Sequence, residues 1–167
     1  MSKKLILCEK SSIFEVFRWL VTSSIFITSS SSIEIKCSFK SSNWIPEIPA
    51  FYECEATTSV ILTVSDANIT GINGAHIPGR GDDDVSSIYM YRSKPIRHFP
   101  QNLEKFFKNL QTIAIVMVNL QAVHQSDLKV FPRLRVLYLD SNEIEVLEKD
   151  LLAFNKRLEF VNFSNNR

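Results

Sequence analysis

Leu134-Arg135-Val136-Leu137-Tyr138-Leu139-Asp140-Ser141-Asn142-Glu143-Ile144-Glu145-Val146-Leu147 carries apolar residues three, five, ten and thirteen positions after its first leucine, with Asn142 eight positions on. The spacing recurs at an interval of 24 residues. Leu110, Ile113 and Ile115 precede Leu134, Leu137 and Leu139, and Leu158, Val161 and Phe163 follow them. Asn166 repeats Asn142, Leu120 matches Ile144, and Val123 matches Leu147. Leu128 with Phe131 and Leu152 with Phe154 then fall late in successive units. A degraded unit starting at Ser86 supplies Tyr89, Tyr91, Ile96, Phe99, Leu103 and Phe107. A fixed period of this length marks one supersecondary unit copied along the chain, each copy burying its apolar face against the next.

On these residues the segment 86–167 resembles extracellular leucine-rich-repeat proteins, with units starting near 86, 110, 134 and 158. Val118 and Lys94 depart from the motif where it has Asn, and Ser86 departs where it has Leu. The two-cysteine segment ahead of the repeats, with Asn68-Ile69-Thr70 and the stretch Phe99 to Phe107, is similar to small secreted insect members of that family. The resemblance implies an α/β leucine-rich-repeat solenoid, short and C-terminally incomplete, with an N-terminal β cap over 33–85. In such a fold Leu110, Ile113, Ile115, Leu134, Leu137, Leu139 and Leu158 turn into a shared core. Asn142 and Asn166, each with a donor and an acceptor, satisfy peptide groups where the chain leaves its strand.

Positions between the core residues are left for function. They form three columns on an expected concave face: Ile88, Thr112, Val136 and Phe160; Met90, Ala114, Tyr138 and Asn162; Arg92, Val116, Asp140 and Ser164. Apolar and aromatic side chains edged by Arg92 and Asp140 have the make-up of a protein-binding surface. Strand propensity alone also places Val, Ile, Tyr and Phe at such positions. The candidate ligand-binding residues are Ile88, Met90, Arg92, Thr112, Val136, Tyr138, Asp140 and Phe160, and the expected partner is a protein. The final unit stops before its convex side is closed, which predicts a truncated relative of a longer chain or self-association through that end.

Ahead of the repeats, Lys3, Lys4, Lys10 and Arg18 precede the apolar stretch Trp19 to Ile27, followed by small residues from Thr28 to Ser32. That order is a secretory signal over 1–32, although Glu9 and Glu15 in the basic region also suit an amphipathic lead-in helix or an anchor. Cleavage near Ser32 removes Cys8 and leaves Cys37 and Cys54 as a pair. Ile33 to Lys40 alternates apolar and polar, so Cys37 faces inward on a half-buried strand, and Cys54 shares the apolar set of Tyr52 to Ala56. Antiparallel pairing brings the two within bonding range; two reduced, buried thiols are the alternative.

The 167 residues, 45% hydrophobic and 22% charged, suit one domain with a core and disfavour disorder. A net charge of +1 gives no nucleic-acid footprint. His76, His98 and His124 lie far apart, His124-Gln125-Ser126-Asp127 sits in a single loop, and four glycines leave little for a phosphate cradle. No enzyme activity, cofactor or metal is expected. Arg80-Gly81-Asp82 is the tripeptide of integrin ligands, here in a loop that also reads as a plain connection. Asn68-Ile69-Thr70 is a glycan acceptor if the chain is secreted. The expectation is a secreted binding module for recognition or adhesion, with a cytosolic structural scaffold lacking a cleaved leader as the alternative.

Overall fold

A computed structural model describes residues 32–44, 49–57, 68–92 and 95–167. The leader expected over 1–32 lies outside them except for Ser32, as does Lys94. Among the described residues seven strands make one sheet: β1 (Ser32–Ser42), β2 (Phe51–Ala56), β3 (Asn68–Asn73), β4 (Ser87–Tyr91), β5 (Thr112–Val116), β6 (Val136–Tyr138) and β7 (Phe160–Asn162). Their order is β3-β1-β2-β4-β5-β6-β7. Only β1 and β2 pair antiparallel; every other neighbouring pair is parallel. Two single-turn helices, α1 (Leu103–Phe106) and α2 (Gln125–Leu128), and a 3-10 turn at Asp82–Asp84 are the helical elements among the described residues.

This corrects the expected fold class. The structure is a mixed seven-stranded sheet with very few helices, not an α/β leucine-rich-repeat solenoid with a cap. The returns between parallel strands are mostly irregular chain and turns, and each helix they contain is four residues long. The cysteine segment does not sit over the end of a separate stack either. Its strand β2 pairs in parallel with β4, Cys54 opposite Ile88, so the sheet runs unbroken from β1 through β7. Both segments turn apolar side chains to the same side, and joining edge to edge pairs peptide groups that would otherwise form a sheet edge.

The 24-residue spacing survives as strand register. Thr112 pairs with Val136 and Val136 with Phe160, while Leu137 lies between Ile113 and Val161. One step differs: Ser87 pairs with Thr112, twenty-five positions on. Val85, fully buried, therefore stands in line with Leu110, and a slip of one residue exchanges the two faces of a strand. Ile88 and Met90, expected on the outer face, are completely buried in the core; Tyr89 and Tyr91, expected inside, lie on the outer face.

The core lies on one side of the sheet. Ile35, Cys37 and Phe39 from β1 meet Tyr52 and Cys54 from β2, and the cluster continues through Ile88, Met90, Ile113, Ile115, Leu137 and Leu139. Ile96, Leu103, Phe107, Leu128 and Phe131 close it from the far side. There Leu151 and Asn155 are buried and Phe154 is exposed, which corrects the expected pairing of Leu152 with Phe154. Asn155 occupies the place held one unit earlier by Phe131, and its Nδ2 donates to the carbonyls of Leu128 and Phe131 at 2.8 and 3.0 Å.

Asn142 is buried where β6 ends. Its Oδ1 accepts the N–H groups of Val118 and Leu120, both at 3.1 Å, and its Nδ2 donates to Ile115, Leu139 and Asp140 carbonyls at 2.7 to 3.2 Å. Asn166 does the same one unit later with Ile144, Leu139 and Phe163. An inward amide at this point replaces the ladder partners that the chain loses on leaving the sheet.

Cys37 and Cys54 form a disulfide, with Cα atoms 5.0 Å apart. Closing a loop with a separation of 17 residues removes unfolded conformations worth about 3 kcal/mol in the chain-entropy model. A Cys37→Ala protein is expected to lose that much in urea unfolding. Reductant should shift the wild type by a similar amount and leave the variant unmoved; insensitivity of both would show that the bond contributes nothing.

Candidate functional site

Trp44, two residues past the end of β1, lies on the face of the sheet turned away from the core. It sets its ring edge-on to Phe51 and Tyr138 at centroid distances of 5.5 and 5.2 Å, and lies 6.0 Å from Tyr89. Trp44 thus reaches from β1 to β6, across three intervening strands. Phe51 covers Val136 and leaves it with no exposure, and Thr112 is equally hidden at 1%. These two residues, expected to be open on the outer face, form the floor beneath Phe51 and its neighbours.

The tryptophan is fixed by a buried carboxylate. Glu53 in β2 has no exposed surface, although the alternation of its strand points it away from the core. It accepts hydrogen bonds from Trp44 Nε1 and Ser42 Oγ at 2.9 Å and from Ser87 Oγ at 3.1 Å, and Lys40 Nζ lies 3.7 Å away. Lys40 is itself held by Glu55 at 2.6 Å, a bond that raises the lysine's pKa above its ordinary value. Buried charges persist where donors surround them in this way.

Between Trp44 and strands β4 to β6 opens a cleft of about 410 Å³. Tyr89, Tyr138 and Trp44 supply its aromatic wall, Ala114 and Val116 its apolar floor, and Lys40, Glu53 and Asp140 its charged groups. Burial pushes the Tyr89 phenol above its ordinary pKa, and the nearby Tyr91 and Glu53 add to the shift. Tyr138 stacks on Phe160 at 5.1 Å, which extends the aromatic surface to the sheet edge, where Phe160 is 43% exposed. Arg92 is exposed, in a left-handed conformation with φ of 47°, its guanidinium 5.0 Å from the centroid of the Tyr91 ring.

Of the residues expected to bind a ligand, the structure therefore gathers Tyr138 and Asp140 at one cleft, with Phe160 beside it. Arg92 lies outside the cleft lining, Thr112 and Val136 are covered, and Ile88 and Met90 are in the core. Sequence reasoning missed Trp44, Lys40, Glu53 and Tyr89. A tryptophan beside prolines gives no sign of where its ring will lie. A glutamate flanked by Tyr52 and Cys54 reads as a solvated strand position.

Arg80-Gly81-Asp82 is engaged within the chain. Arg80 lies over the Tyr52 ring at 4.9 Å, and Asp82 Oδ1 is 3.1 Å from His76 Nε2, whose Nδ1 meets the Tyr52 hydroxyl at 3.1 Å. Asn68 is half-buried at the start of β3, and its Oδ1 accepts from Asn102 Nδ2 at 3.1 Å. The His124 ring pairs with Glu148 at 2.8 Å, and its backbone N–H donates to Asp127 Oδ2. No family model, no curated protein and no solved structure matches the chain.

Proposed function

We propose that the protein is a secreted binding protein that recognises a protein ligand on the outer face of its sheet. The supporting observation is the cleft itself: Trp44 is brought across three strands and anchored on buried Glu53, so that aromatic rings from three parts of the chain line one opening. Aromatic side chains held rigidly at a surface give large contact area at little entropic cost, which suits recognition. The Cys37–Cys54 bond supports an oxidising compartment.

A pair of variants tests the assignment of faces. Leu137, fully buried, should lose about 3 kcal/mol of stability on change to alanine, whereas Phe160→Ala should stay within about 1 kcal/mol of the wild type. Proteins from the extracellular fluid of the source tissue, captured on immobilised wild type, should be lost from a Tyr138→Ala, Phe160→Ala double variant that remains folded. Undiminished capture by that variant places recognition elsewhere.

A further inference from the structure

The charges around the cleft are unbalanced. Lys40 is committed to Glu55 and Glu53, so its ammonium is already matched by two carboxylates. Asp140, at the other side, is half-buried, and among the described residues its carboxylate accepts only the Ser141 hydroxyl, at 3.2 Å. Among the described residues no cation lies within ion-pair distance of it. Between these groups stand the rings of Trp44, Tyr89 and Tyr138. An aromatic wall attracts a cation through its ring faces, and a partly desolvated carboxylate adds a charge-assisted hydrogen bond. The chain uses the same chemistry internally, where Arg80 lies over Tyr52 and Arg92 over Tyr91.

Resting on the reading of this face as a recognition surface, we propose that the cleft takes one basic side chain, arginine or lysine, from the protein ligand. Its aliphatic stem lies along Ala114 and Val116, its charged head meets Asp140, and the three rings enclose it. At about 410 Å³ the opening falls within the range of pockets that bind small organic groups. Long basic side chains suit such a place because the stem packs on apolar surface while the head stays polar.

The test uses N-acetyl-arginine amide, N-acetyl-lysine amide and the neutral N-acetyl-norleucine amide, titrated into the isotope-labelled chain and followed by NMR. Saturable shifts at Ala114, Val116 and Tyr138 are expected with the two cationic probes, at least ten-fold stronger than with norleucine amide. Asp140→Asn keeps the backbone bonds around Asn142 and should weaken the cationic probes about ten-fold while leaving norleucine amide unchanged. Equal binding of all three, or no effect of Asp140→Asn, overturns the cation assignment but leaves the face as an apolar recognition surface. No shift with any probe also overturns it; the wider reading then stands or falls on the Tyr138, Phe160 double variant alone.

Discussion

Asn142→Ala is expected to destabilise the protein by about 3 to 5 kcal/mol, as much as a large core truncation. The side chain is 7% exposed and makes five hydrogen bonds, all to backbone groups. Its removal leaves the Val118 and Leu120 N–H groups without their acceptor in a buried place, and the Ile115 and Leu139 carbonyls lose a donor. Each buried polar group left unsatisfied costs about 1 to 3 kcal/mol, and the small cavity keeps water from replacing the amide fully. Domains of this kind have only about 5 to 15 kcal/mol in total, so the variant should unfold at low urea. Asn166→Ala should cost less, because that residue is only half-buried and its nearest strand, β7, lies at the sheet edge. An unfolding free energy for Asn142→Ala within about 1 kcal/mol of wild type would show that the ladder contributes little beyond its geometry.

Asn142 also shows which part of the fold can be read from sequence. Its spacing from Leu134 and from Asn166 reports a local fact, where a chain leaves a strand, and such facts recur at each copy. The same holds for β1, where alternation over Ile33 to Lys40 turns Ile35, Cys37 and Phe39 inward. What the spacing does not carry is phase across an irregular connection. One additional residue between β4 and β5 puts Ile88 and Met90 in the core and Tyr89 and Tyr91 outside, and no local preference distinguishes the two, because all four are good strand residues. Nor does a period specify the architecture built from it, since short turns and long helices can both return a chain over the same distance. The cleft was half legible: Tyr138 and Asp140 lie on the regular columns, whereas Trp44 arrives from a connection outside the repeat.

Glu53→Ala should have the second large effect, again about 3 to 5 kcal/mol, and it should act on the site as well as on the fold. Deleting this carboxylate leaves the Ser87 hydroxyl buried without its acceptor, deprives Ser42 and Trp44 Nε1 of theirs, and removes one of the two carboxylates that hold Lys40. Lys40 keeps Glu55, and Trp44, 39% exposed, can turn toward water. The aromatic contacts of Trp44 with Phe51 and Tyr138 then have to hold its ring alone, and such pairs contribute about 0.5 to 1.5 kcal/mol each. Glu53→Gln separates charge from shape: its amide oxygen can accept from one or two donors, but its NH2 group faces another donor, so an intermediate loss is expected. In a Trp19→Phe background, where Trp44 is the remaining tryptophan, Glu53→Ala should shift its emission to the red and weaken ligand capture before the sheet itself unfolds. If emission, capture and stability all match the wild type, the rings alone hold Trp44 in place and the buried carboxylate is not what builds the cleft.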